Sequence, residues 1–296
     1  MPSLKELRTR KKSVQATKKI TSAMKLIAAA KLRRAQEHAQ AARPYAMMMS
    51  EMLGDLISRI TNLSMTPKLL GGTGQEKTHL IIAATSNRGL CGGFNTSIIR
   101  HVRHMIKEEE TRKRDIKIIC IGRKGYDQLK RDYSKYIIMT FEALDKPSFS
   151  DASNVSQYML EIFEKNEFDI CTIVYNKFIS ALTQKVTDHR LIPYTPLDSS
   201  PLLSAGNNNT SLVPYSYEPT ENQVLTQLLP QNLGIQIFRA LLENVASEQG
   251  ARMAAMDGAT RNAEEMIQNL NLTYNRTRQA FITKELIEIV SGAEAL

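Results

Sequence analysis

No run of about 18 consecutive apolar residues occurs in this 296-residue chain, which argues against a membrane-spanning helix. The first residues lack the apolar stretch of a secretory signal, so the sequence predicts a chain that is not secreted. Cysteine is scarce. Cys91, Cys120 and Cys171 are far apart and odd in number; none forms a CxxC and none sits near a histidine at zinc spacing. Reduced thiols in buried strands are expected, not a metal or redox site. The histidines (His38, His79, His101, His104 and His189) form no metal motif. His101 and His104 share a helix face at i,i+3 and read as a solvated pair. No nucleophile–base–acid set stands out, so the sequence assigns no catalytic residue, no cofactor and no metal.

Acidic residues are missing from one long stretch. Between Lys5 and Arg34 the one acid is Glu6, and much of the net charge of +9 collects there. Such a stretch suits an acidic partner: nucleic acid, a membrane surface or an acidic protein face. It also has the composition of a mitochondrial targeting helix. No aromatic residue precedes Tyr45, so the stacking groups that would strengthen a nucleic-acid reading are absent.

The pattern beyond the charges points to a helix. Ser3-Leu4-Lys5-Glu6 fits a capping box, with Ser3 as cap and Glu6 reaching back. Met24, Ala28, Ala35, Ala39, Ala42, Ala46, Met49, Leu53, Leu56 and Ile60 then recur in steps of three and four, the spacing of a helix packed along another helix. Lys31 breaks one rung. Pro44 predicts a kink in one long helix rather than its end, because the seam runs through it in register. A targeting peptide would not keep this seam far beyond its basic part. Met47-Met48-Met49 and Met52 fit either an adaptable binding face or helix packing, the commoner use.

The middle changes character. Gly71-Gly72-Thr73-Gly74 reads as a flexible linker. Short apolar runs at His79–Thr85, Asp115–Ile121 and Phe168–Tyr175, with weaker ones at Tyr136–Phe141 and Gln184–Ile192, predict strands. Helical patterns at Asn95–Glu110, Lys124–Asp132 and Ser153–Lys165 alternate with them, as in a small, mostly parallel α/β sheet. Pro193–Pro219 is rich in Pro, Ser and Asn and reads as loop. Thr220-Glu221-Asn222-Gln223 offers a second capping box. Ile235, Phe238, Leu242, Val245, Met253, Met256, Ala259, Ala263, Ile267, Leu270, Tyr274 and Phe281 then keep near-heptad spacing through Gly234, Gly250 and Gly258.

The expected architecture is an α/β domain plus a long antiparallel two-helix coiled coil formed by the N- and C-terminal helices. Its parts are residues 1–62, the first coiled-coil helix; 75–195, a small Rossmann-like α/β domain; 196–219, a linker; and 220–296, the second coiled-coil helix. Helices of roughly 55–70 residues, or roughly 80–100 Å, project beyond so small a domain. Ala280–Thr283, Leu286-Ile287 and Ile289-Val290 place apolar groups around the last turns, which predicts insertion into a partner.

Ser86–Asn95, with Arg88-Gly89-Leu90-Cys91-Gly92-Gly93, follows the first strand where a phosphate loop would sit. It matches neither GxGxxG nor GxxxxGK[ST], so a tight turn is the better reading. Arg88 leaves an opening for an anion.

Several stretches carry a family resemblance. Met24–Arg33 (MKLIAAAKLR) resembles the N-terminal signature of ATP synthase gamma subunits, and Ser86–Asn95 resembles a motif of their central domain. Glu243–Met253 (ENVASEQGARM), Ala259-Thr260, Asn262-Ala263 and Tyr274–Glu285 (YNRTRQAFITKE) extend the match. The resemblance spans the chain and implies the non-catalytic central rotor stalk of a proton-translocating F-type complex, one copy per complex. The implied partners are the alpha and beta subunits of the catalytic head, the epsilon subunit and the membrane ring of c subunits, with no nucleic acid. Met24 and Lys25 would lie near the beta subunit's acidic lever segment. Arg252, Gln279, Thr283 and Glu285 match positions of shaft–ring coupling; Tyr217 and Glu218 match a region near the rotor ring. The cysteine-containing insertion of chloroplast forms is absent, so no thiol light switch is expected. The absence of a targeting extension favours the cytoplasmic face of a bacterial inner membrane. Two other readings compete: a basic coiled-coil nucleic-acid-binding protein and a nucleotide-dependent α/β enzyme.

Overall fold

The computed structural model describes residues 3–59, 67–143, 145–194 and 221–294. Ile60, most of the Pro/Ser/Asn-rich loop, the cap at Thr220 and the candidate contacts Tyr217 and Glu218 lie outside the described residues. Two long helices bracket the fold, α1 (Leu4–Arg59) and α6 (Glu221–Glu294). The box at the start of α1 forms as expected: Ser3 N donates to Glu6 Oε2 at 3.2 Å, and Glu6 N donates to Ser3 Oγ at 3.2 Å. Pro44 and Pro230 both lie inside continuous helix.

By packing, the chain divides into two compact units, Met1–Ala30 with Arg252–Leu296, and Lys31–Ala251. The first is a two-helix rod. Arg8 donates to Tyr274 Oη, Lys18 pairs with Glu264, Thr260 Oγ1 donates to Thr21 Oγ1, and Lys25 pairs with Asp257. From Arg8 up to Lys25 in α1 the partners run down α6 from Tyr274 to Asp257, so the helices are antiparallel. Leu7, Ala28, Met256 and Ala263 are buried along this seam. Small side chains there allow close approach, and polar pairs fix the register.

The second unit is a five-stranded sheet with helices on both faces. Its strands are β1 (Thr78–Ala84), β2 (Asp115–Ile121), β3 (Ile137–Phe141), β4 (Ile170–Phe178) and β5 (Gln184–Ile192), in the order β3-β2-β1-β4-β5. All neighbours are parallel except β4 and β5. Between the strands lie α3 (Phe94–Thr111), α4 (Arg123–Tyr133) and α5 (Phe149–Glu164), after a short α2 (Lys68–Gly71). Alternate residues of β1 go to opposite faces, as period two requires. Leu80 and Ile82 join α5 and α6 through Val155, Met159, Leu233 and Ile237, while Ile81 and Ala83 join α3 through Ile98, Val102 and Ile106. A third cluster joins Met49 and Leu53 of α1 to Leu225 and Leu229 of α6.

Three expectations need correction. The glycine-rich connector is not a free linker: Thr73 Oγ1 donates to Asp169, whose other oxygen accepts from Lys77 N at 2.9 Å and Thr78 N at 3.1 Å. The broken rung at Lys31 is filled by Leu32, buried between Ala28 and Ala35, while Lys31 reaches Asp145 at 2.6 Å. Helix α5 begins at Phe149, ahead of the expected Ser153, because Ser148 and Asp151 form a capping box.

Candidate functional site

In an open α/β sheet, ligands bind beyond the carboxyl ends of strands whose connections depart in opposite directions. Here that point lies between β1 and β4. It is occupied by the chain's own α6. Asn244 Oδ1 accepts from Asn176 N at 3.0 Å, and Asn244 Nδ2 donates to the Ala84 carbonyl at 3.1 Å. Ser247 Oγ donates to the Asn176 carbonyl at 2.7 Å. All three side chains are buried. A cleft of about 260 Å³ remains beside this contact, lined by Thr85, Phe141, Glu142, Asp151, Asn154 and Glu248 among others. Its polar lining is carboxylate, carboxamide and hydroxyl, with no basic side chain to hold a phosphate.

The two ends of the Ser86–Asn95 loop are tied to each other. Asn95 Oδ1 accepts from Ser86 N at 3.0 Å, Asn95 Nδ2 donates to Ser86 Oγ at 2.8 Å, and Ser86 Oγ donates to the Arg88 carbonyl at 2.6 Å. The first N–H groups of α4 are taken as well. Arg123 N donates to Asn87 Oδ1 at 3.0 Å, Lys124 N to the Ser86 carbonyl at 3.0 Å, and Gly125 N to Thr85 Oγ1 at 2.8 Å. A helix N-terminus binds phosphate only with free N–H groups. These N–H groups of α4 are therefore engaged, and the loop itself turns through Gly92, at φ 57°. Leu90, at φ 64° and largely exposed, is the strained residue that the glycine pattern did not reveal.

The three thiols form no disulfide and are buried, Cys120 and Cys171 in strands as expected and Cys91 in the loop before α3. Burial pushes Cys120 up to about 12 and raises Cys171 further still, so neither supplies a thiolate near neutrality. Among the described residues no cluster of His, Cys, Asp and Glu can hold a metal ion. His101 lies 3.3 Å from Asp188 and His104 3.2 Å from Glu108, so the two share no ligand.

One ionisable cluster is buried without an evident chemical task. His79 Nδ1 lies 3.5 Å from Glu109 Oε1, and its Nε2 is 2.9 Å from Thr172 Oγ1. Glu109 meets Arg112 at 2.8 Å and Arg114 at 3.1 Å. Burial holds His79 below its ordinary 6.5, against the opposing pull of Glu109. Burial alone would raise Glu109, but Arg114, His79 and Arg112 together hold it below its ordinary 4.5. Both folded pKa values are depressed, so both groups favour the fold at higher pH and weaken it on acidification. His79 acts first, as pH falls below about 6.5 and the unfolded chain takes up a proton the fold resists. Glu109 follows below about 4.5. Thermal midpoints between pH 7.5 and 5.5 should fall less steeply for His79→Gln than for the parent chain; equal slopes would contradict this assignment.

The rod carries the residues singled out by resemblance. Lys25 Nζ bonds Asp257 Oδ1 at 2.6 Å, so its charge is already engaged within the rod. Met24 and Arg252 are half-buried, while Gln279, Thr283 and Glu285 are exposed. Thr283 Oγ1 donates to the Gln279 carbonyl at 2.9 Å, within its own helix. Since Arg8 is level with Tyr274, α6 passes the start of α1 near Arg278 and runs on about 24 Å to Glu294. Along this overhang Phe281, Ile282, Leu286, Ile287, Ile289 and Val290 are all exposed. So many bare apolar groups around one helix mark a surface made for a partner.

The chain matches the family model described as ATP synthase over residues 3–296. It is 53% identical over 302 residues to the ATP synthase gamma chain of Rhodospirillum rubrum and 52% identical over 298 residues to that of Parvibaculum lavamentivorans, with 100% of each chain covered. Among solved structures it is similar in fold to a chain of the Euglena gracilis mitochondrial ATP synthase, in the structure of OSCP/F1/c-ring. The TM-score is 0.66 at 22% identity, over 99% of this chain and 94% of that one. In the rotor structure from the same organism the TM-score is 0.63 at 20% identity, over 94% and 98%.

Proposed function

The chain belongs to the family of ATP synthase gamma chains, and we propose that it serves as the central stalk of an F-type complex, coupling ion-driven rotation to conformational cycling in the catalytic head. The observation that carries this reading is the antiparallel rod whose longer helix ends in an exposed apolar overhang. An all-round apolar helix end is more often buried in a partner than left in water. Its partners are the alpha and beta subunits around the rod, and the epsilon subunit and c ring at the sheet unit. Nothing in the fold or the relatives supports the nucleic-acid reading.

The stalk acts by differential contact. A two-helix rod has no threefold symmetry, so three equivalent subunits around it meet different side chains at each angle. Each angle stabilises a different conformation in each subunit, to the extent that the contact energies differ. Met24, Lys25, Arg252, Gln279, Thr283 and Glu285 are assigned to contacts with the head, and Tyr217 and Glu218 to the ring side. Residues 1–62 and 220–296 are assigned to the shaft, 75–195 to the foot and 196–219 to the connection. The chain performs no catalysis of its own; α6 filling the crevice beside β1 and β4 supports this. No helix among the described residues is long and apolar enough to cross a membrane. A peripheral position on the cytoplasmic face of a bacterial inner membrane follows from the proposed partners.

A chain lacking Ile282–Leu296 tests the reading. It should still join the alpha and beta subunits, because the rod's polar pairs remain. Ion-driven ATP synthesis should fall several-fold relative to ATP hydrolysis. Synthesis at the parent rate would remove the overhang from the mechanism, and a full-length chain that fails to join the head would sink the whole proposal.

A further inference from the structure

Two residues break the local rules of the helices that carry them. Lys31 stands on a rung of α1 where the seam calls for an apolar side chain. Gly250 stands inside α6, where glycine is about 1 kcal/mol less favourable than alanine. Such breaks are expected where a residue serves function rather than folding. Both lie at the limit of the sheet unit, which ends at Lys31 on α1 and at Ala251 on α6.

Each is met by a connection from an edge of the sheet, and the two edges are opposite ones, β3 and β5. Lys31 Nζ bonds Asp145 Oδ2 at 2.6 Å, on the connection from β3 to α5. That connection is braced on both sides of Asp145. Before it, Asn87 Nδ2 donates to the Ala143 carbonyl at 2.8 Å and Asn87 Oδ1 accepts from Ala143 N at 3.3 Å. After it, Ser148 N donates to Asp151 Oδ2 at 2.7 Å in the cap of α5. At the other edge, the hairpin between β4 and β5 lies against Gly250. A Cβ there would stand 3.2 Å from Phe178 Cε2 and 3.3 Å from Ala181 Cα, so glycine lets the turn close on the helix without displacement. The turn is braced as well. Ser180 N donates to the Thr183 carbonyl at 3.0 Å, and Thr183 N donates to the Ser180 carbonyl at 3.3 Å. Gln184 Nε2 donates to the carbonyls of Ser180 at 3.2 Å and Ala181 at 3.0 Å. On α6 this contact continues the grip of Asn244 and Ser247 on the Asn176 backbone.

Stability does not account for the Lys31 pair. Its side chains are 40% and 49% exposed, and exposed ion pairs contribute about 0–1 kcal/mol. Water would serve Lys31 as well as an acid 114 residues away. What the two contacts supply is orientation. A helix held on one face by a soft loop can turn about its axis. Two helices held by braced connections from opposite edges turn only if the sheet turns with them.

We infer that Lys31–Asp145 and Gly250–Ala181 form a two-sided collar that fixes the rotational setting of α1 and α6 against the sheet, and so carries torque between foot and shaft. Lys31, Asp145 and Gly250 are positioning residues, acting through the helices they hold. The inference rests on the stalk reading.

The experiment uses the assembled complex, immobilised by its head, with a probe on the sheet unit whose angular fluctuation reports the stiffness of the stalk. Ion-driven ATP synthesis is measured beside it. Lys31→Asp and Asp145→Lys should each widen the angular variance about twofold and lower synthesis relative to hydrolysis, with the melting temperature of the free chain nearly unchanged. The double variant Lys31→Asp/Asp145→Lys restores the pair with its charges exchanged, and should regain the parent variance and synthesis. Gly250→Val should push the hairpin from α6 and widen the variance too. Parent-like variance in both single charge variants, or in Gly250→Val, overturns the inference. So does a double variant as loose as the singles, or a large fall in melting temperature in both singles, since the residues then act through folding. Failure of the parent chain to join the head strikes the stalk reading instead, and is seen before any variant is compared.

Discussion

Gly122→Ala should unfold the sheet unit under conditions where the parent chain is stable, with a loss of about 3–5 kcal/mol in urea denaturation. Gly122 sits at φ 95°, between the end of β2 and the first turn of α4. That backbone region is strained for any residue with a Cβ. The space is closed as well: a Cβ would stand 2.3 Å from the Thr85 carbonyl oxygen and 2.7 Å from its carbon. These are backbone atoms of a buried strand end, so no side-chain rotation relieves the clash. Thr85 cannot retreat, because its N–H donates to the Ile121 carbonyl at 2.7 Å and its Oγ1 donates to the same carbonyl at 3.0 Å. Gly258→Ala is the control. No atom lies within 4 Å of its Cβ position, so alanine there should be neutral or stabilising by about 1 kcal/mol through helix propensity. Similar unfolding midpoints for the two variants would show that the approach of Gly122 to Thr85 is not limiting.

Gly122 also marks where the sequence stops being readable. Secondary structure was legible because it follows periodicity. β2 and β5 match their expected bounds, and α3 and α4 match to within a residue at each end. The antiparallel rod was legible from the steps of three and four in both long helices. Among the described residues the expected seam departs from the structure at Lys31, where Leu32 beside it is buried instead, and at Phe281, which is exposed beyond the start of α1. Helix α5 starts ahead of its apolar pattern because Ser148 caps it with Asp151, rather than Glu or Gln, at the third helical position.

The contacts between elements were less legible. Glu243–Met253 stood out as a family motif and its Arg252 was assigned to coupling. Asn244 and Ser247 instead grip the ends of β1 and β4. In sequence they are polar residues in a helical apolar pattern, which solvation explains as well as burial does. Their partners, Ala84 and Asn176, lie far away in sequence and bond through the backbone, which has no composition signal. Gly250 makes sense only once Phe178 and Ala181 are seen against it. No contact explains Gly258, which has no neighbour near its Cβ position. The exposed overhang, by contrast, was visible in advance, because apolar residues on every side of a helix need no partner to be noticed.

The grip of α6 on the sheet yields the second large effect. Asn244→Ala should cost about 2–5 kcal/mol and loosen α6 from β1 and β4 without melting the rod. The alanine strands two groups at once, the Asn176 N–H and the Ala84 carbonyl, both at buried positions. Each lost partner costs about 1–3 kcal/mol if water cannot replace it. Asn244→Asp separates the two bonds. An aspartate can still accept from Asn176 N, but it turns an oxygen toward the Ala84 carbonyl and brings a charge into a buried site, so it should be no milder than alanine near neutral pH. Ser247→Ala removes a single donor to the Asn176 carbonyl and should cost about 1 kcal/mol. Hydrogen exchange locates the damage. In Asn244→Ala the amides of Asn176–Phe178 and of α6 around Leu241–Gln249 should exchange faster, while those near Thr260 and Tyr274 keep the parent rates. Uniformly faster exchange along all of α6 would mean that the helix answers as one body, and that Asn244 does not act locally on the sheet.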